Sequence, residues 1–254
     1  MAFFNKRTLT SLLLASVWKI STLLKIGFIS GSRASFFSLA YCLPPLMGKH
    51  GDFLTSFCIC CAGALYKLSN VSFSLHYLPS FLTVYHIPTL LGIAYGAVLF
   101  THDARTERIL LLKRCLLSAS CIACIVLFCV HPVGSHAPIY TLLWVLPVIN
   151  IFLRHSNFFI HALAIMCAMH ALGSVLWLYT HATTSLFWMN LLPISCAERI
   201  LFAGGAWVID KAWSHMGSAA RLLQSAMIFN ARSIASAFKY GFIFSLIILL
   251  AVCI

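Results

Sequence analysis

An all-α fold, a polytopic bundle of transmembrane helices with amphipathic helices on its surface, is what this sequence predicts. Three observations carry the prediction. Hydrophobic residues make up 61% of the 254 positions and charged residues only 9%, whereas a soluble chain draws roughly a quarter of its residues from the charged set. Residues 68–102, 115–153 and 155–197 contain no Asp, Glu, Lys or Arg, and one crossing of a bilayer core needs about 20 largely apolar residues. The formal charge of +12 is concentrated in short basic patches between apolar runs, the pattern of cytoplasmic loops. Lipid is therefore the expected surround, and nucleic acid is not an expected partner.

The elements follow in chain order. Residues 1–33 form a basic amphipathic segment, with Leu12, Leu13, Leu14, Val17, Trp18 and Ile20 interrupted by Lys19 and Lys25. A signal peptide would need a small-residue cleavage site after its apolar run; none is clear, so a helix on the cytoplasmic face is expected. The transmembrane bundle spans 34–209. Its first block, 34–66, is either a hairpin of two short segments or one crossing with a ragged entry. Residues 78–100 read as a crossing in which Gly92 and Gly96 lie one turn apart and admit a neighbouring backbone. The stretch 102–114, with Arg105, Arg108, Lys113 and Arg114, is a cytoplasmic loop.

Residues 109–130 then cross outward. His131-Pro-Val-Gly-Ser-His136 is a turn, because Pro and Gly punctuate it. Residues 137–153 return, 157–179 cross again, and 183–209 come back. Met216, Ala220, Leu223, Met227, Ala231, Ile234 and Phe238 recur at helical spacing, so 210–239 reads as a cationic amphipathic helix. Residues 240–254 are a last apolar segment, short for a crossing. Keeping the basic patches on one side gives about six crossings, within a range of about five to seven.

Ionisable groups at membrane depth are costly and face a bundle interior or a water-filled cavity. Glu198 and Arg199 are such groups. Adjacent helical residues point about 100° apart, so each is expected to find its partner elsewhere; the alternative places both, wetted, at a cytoplasmic helix end. His170, Gly173, Ser174 and Trp177 share a helix face by spacing. They are candidates to line a pocket for a small ligand, the plainer alternative being an interhelical hydrogen bond. The candidate ligand-binding residues are thus His170, Ser174, Trp177, Glu198 and Arg199.

Most of the eleven cysteines lie inside apolar runs and behave there as small hydrophobes, Cys121 and Cys124 included. No metal set, cofactor or nucleotide motif is expected. The pattern holds no Walker loop, dinucleotide fingerprint or nucleophile elbow, so the chain is expected neither to be an enzyme nor to hydrolyse ATP alone.

Residues 170–179, Trp188, Leu191-Leu-Pro193 and Glu198-Arg199-Ile-Leu-Phe-Ala-Gly204 resemble the substrate-binding S components of energy-coupling-factor vitamin transporters. Tyr85-His-Ile-Pro-Thr-Leu-Leu-Gly92, Tyr95-Gly96, His131-Pro-Val-Gly134, Trp144 and Pro147 are similar too, so the resemblance covers residues 80–209. It implies a six-helix bundle in the bacterial inner membrane that captures a vitamin or metal-type solute. A separate transmembrane coupling subunit and cytosolic ATPases would supply the driving force. Residues 1–33 and those from Asp210 onward fall outside the pattern, and the small-residue docking motif of the first helix is not found. Two other readings stay open. One is a structural or assembly protein recruiting a cytoplasmic partner through 210–239; the other is a membrane-embedded enzyme, disfavoured because one buried carboxylate does not make a convergent acid–base set.

Overall fold

The computed structural model describes residues 10–11, 13–14, 25–27, 36–51, 55–56, 58, 87–100, 107–153 and 157–226, with side chains of the last helix described to His215. By packing the chain divides into two units, Met1–Val208 and Ile209–Ile254, and each is taken by itself.

Helices dominate. They are α1 (Pro44–His50), α2 (Ile87–Leu99), α3 (Glu107–Val130), α4 (Val145–Asn150), α5 (Phe158–Thr180) and α6 (Ser185–Ala226). A short antiparallel pair, β1 (Lys25–Gly27) with β2 (Phe36–Ser38), is the exception among the described residues. Lys25 is therefore a strand residue, and the helix expected over the N-terminal stretch does not run through it. The final apolar segment 240–254, residues 59–66 of the 34–66 block, residues 78–86 of the next expected crossing and residues 227–239 lie outside the described residues.

Among the described residues three helices are long and apolar enough to cross a membrane: Glu107–Val130, Phe158–Thr180 and Ser185–His215. At 1.5 Å per residue, α3 reaches about 36 Å, enough for a hydrocarbon core of about 30 Å. Its burial pattern is inverted relative to a soluble helix. Small or soft residues face inward, with Ser118, Cys121 and Cys124 buried beside Phe128. Large aliphatics face outward, Leu112 and Leu116 at 60% and 61% exposure. α6 follows the same logic, with Trp188, Ser195 and Phe202 buried at seven-residue steps while Leu186, Ile200 and Leu201 are exposed. Outer faces of this kind suit hydrocarbon rather than water.

α5 is the packing centre of its unit, meeting α1, α2, α3, α4 and the 3₁₀ segment Pro138–Trp144. Its start is set by Asn157, whose side chain accepts a hydrogen bond from the Ile160 amide at 2.9 Å, satisfying one of the orphan donors of the first turn. Thr184 does the same for α6, accepting from the Phe187 amide at 3.2 Å. The Gly92/Gly96 pair packs as its spacing implies. A methyl at Gly92 would run into the Met169 side chain of α5, and Gly96 lies against Gly48 of α1.

The return crossing expected over 137–153 takes a shorter form: a seven-residue 3₁₀ helix, Pro138–Trp144, followed by the six residues of α4. Together they reach about 23 Å at the rises of the two helix types. Proline is the reason. Pro147 has no N–H to give the Leu143 carbonyl, so an α-turn cannot close across the junction. The threefold winding puts Ile139, Leu142 and Val145 on one exposed row, while Tyr140 and Trp144 are fully buried. Tyr95 of α2 secures the junction, its hydroxyl donating to the Pro147 carbonyl at 2.6 Å.

Candidate functional site

The 3₁₀ segment delivers Tyr140 into the space between α5 and α6. Its hydroxyl is 2.8 Å from His170 Nε2 and 3.2 Å from Ser195 Oγ, so one phenol joins the two long helices. Either the imidazole or the phenol can supply the first proton, according to the histidine tautomer. Ser174, one turn after His170, lies against the same phenol. Arg199, one turn after Ser195, is within electrostatic range of both Tyr140 and His170. His170 keeps some accessible surface in a helix whose neighbouring positions, Met169 and Ala171, are buried.

Above the polar group stands an aromatic wall. Phe128 meets Tyr140, Trp144 and Trp188 at ring separations of 5.5, 5.2 and 5.2 Å, and Tyr140 meets Trp188 at 5.0 Å. All four rings are fully or almost fully buried. The Phe128 and Tyr140 rings are stacked and the other contacts are edge-to-face; both arrangements stabilise beyond their buried area, and they leave Tyr140 little freedom to swing away from His170. The hydrogen bonds of the Tyr140 hydroxyl go to His170 and Ser195.

Glu198 and Arg199 require a correction. They were expected to seek separate partners, yet the Arg199 guanidinium turns back and pairs with the Glu198 carboxylate at 2.5 Å. The physical reason is reach: the long arginine side chain spans the 100° between neighbouring helical positions. The contact uses one nitrogen and one oxygen. Arg199 Nε, also buried, has no hydrogen-bond partner, and neither does Trp144 Nε1. The guanidinium also lies 5.6 Å over the Phe202 ring.

The structure thus brings His170, Ser174, Glu198 and Arg199 around one phenol, while Trp177 packs at the edge of the aromatic cluster. The Trp177 indole also stacks on His181, just beyond the end of α5, at 3.7 Å between ring centres. Gly173 is turned towards Pro88. Tyr140 and Ser195 were not singled out in the sequence, and Trp144 entered only through the resemblance. Ser195 had a usable signal, since it precedes Glu198 and Arg199 by three and four positions on one helix. Tyr140 had none, because its partner lies thirty residues away on another helix. Among the described residues, no three His, Cys, Asp or Glu side chains gather as a metal set, and Cys121 and Cys124 are buried free thiols on the packed face of α3.

The chain matches no protein-family model, no curated protein and no solved structure.

Proposed function

We propose that this chain is a solute-binding subunit of a transporter, a multi-pass protein of a bacterial inner membrane with about six crossings. It would hand its solute to a separate transmembrane coupling subunit driven by cytosolic ATPases. The observation that carries the reading is the Tyr140–His170–Ser195 hydrogen-bonded group, with the Glu198–Arg199 pair beside it, set among helices whose outer faces are aliphatic. Polar and ionisable side chains in such surroundings are expensive and mark binding sites or pathways. The resemblance to S components falls on several of the same residues, His170, Trp144, Trp188, Glu198 and Arg199. An organic solute suits the described cluster better than a metal ion, since no ligand set of three accompanies it.

Native mass spectrometry of the protein purified in lipid nanodiscs tests this reading. A bound small molecule is expected in the wild type and is expected to be lost in His170→Ala. Wild-type protein that releases nothing, or retention unaffected by His170→Ala, rejects it.

A further inference from the structure

Among the described residues the buried side-chain polar atoms without a hydrogen-bond partner are Arg114 Nε, Trp144 Nε1 and Arg199 Nε. All three are N–H donors, and the last two border the Tyr140–His170 group. What the site lacks is therefore acceptors. A buried donor left unpaired is costly, and more so when it is charged, so a ligand that brings oxygen atoms relieves the deficit.

We propose that the solute is an anion whose carboxylate is received by Arg199, with Glu198 acting as the internal stand-in for that carboxylate when the site is empty. This deepens the solute-binding reading and rests on it. Glu198 is a poor stand-in by geometry: tethered at the adjacent position, it meets the guanidinium through one oxygen and one nitrogen and leaves Nε empty. A free carboxylate has no such tether and can take two N–H groups in parallel, the stronger and more selective arrangement. A cationic solute would meet the guanidinium charge, and the Glu198 carboxylate beside it is already neutralised by that pairing. A neutral solute brings no charge with which to replace Glu198. His170 and Tyr140, linked at 2.8 Å, sit where they orient the remainder of the ligand.

Benzoate and its neutral counterpart benzamide are the probes, titrated against the whole protein in phosphatidylcholine nanodiscs and followed by thermal midpoint and tryptophan fluorescence. Benzoate is expected to raise the midpoint saturably, with benzamide bound about tenfold more weakly or less. Arg199→Gln is expected to weaken benzoate binding about tenfold or more. Glu198→Gln, which removes the internal competitor and leaves Arg199 in place, is expected to tighten it. That second variant keeps the test sharp if Arg199→Gln fails to fold. No response to benzoate, equal binding of benzamide, or weaker binding in Glu198→Gln overturns the proposal. So does a midpoint rise produced by phosphatidylglycerol in place of benzoate, which would assign the anion to a lipid headgroup. Co-purification of a neutral or cationic molecule that His170→Ala releases would also overturn the anion while leaving the solute-binding reading intact.

Discussion

Gly48 and Gly204 are both glycines in helices, yet alanine should have opposite consequences at the two positions. A Cβ built on Gly48 would lie 2.6 Å from Gly96 Cα and 2.7 Å from Ala97 N. Carbon atoms sit comfortably at about 3.5–4.0 Å, so α1 and α2 would have to separate by about 1 Å. The obstructing atoms are backbone, which no rotamer change can move. Overpacking of this kind costs about 1–3 kcal/mol, partly offset by the roughly 1 kcal/mol advantage of alanine in a helix. A Cβ on Gly204 meets nothing within 4 Å, so only the helix-propensity gain remains. Size-exclusion thermal denaturation in detergent, run in parallel, should show Gly48→Ala melting several degrees below wild type and Gly204→Ala at or slightly above it. Equal midpoints for the two variants would refute the close approach of α1 and α2.

Tyr140→Phe removes the hydroxyl that His170 and Ser195 share while keeping the ring in the aromatic wall, and should cost about 1–3 kcal/mol in the same denaturation assay. A variant as stable as wild type would mean that the phenol links nothing. A spin label at Leu116, which is 61% exposed on α3, should collide with oxygen far more often than with a water-soluble nickel chelate. The reverse preference would put that face in water.

Hydropathy along the chain was enough to locate the long helices, because the length of an apolar run against the bilayer thickness is a local quantity. It placed, to within a few residues, the helices Glu107–Val130 and Phe158–Thr180, which are long and apolar enough to cross a membrane. The close packing at Gly92 and Gly96 was legible for the same reason, since two small residues one turn apart leave a notch whatever the neighbour is. The 3₁₀ winding of Pro138–Trp144 was legible only in Pro138, which opens it, and Pro147, which follows it, and its apolar composition reads equally well as α-helix.

The candidate site divides along the same line. Composition by itself marked His170, Glu198 and Arg199 as polar groups out of place among apolar ones. Which of them meet was decided by tertiary structure: Tyr140 joins α5 to α6 across thirty and fifty-five residues of chain, while Trp177 turns to His181. Periodicity fixes the direction a side chain takes from its own helix axis, but the rotation and depth of one helix against the next follow from the packing of the whole unit. That is why the sequence marked the apolar lengths and the polar residues within them, and only the tertiary structure decided which polar residues form one group.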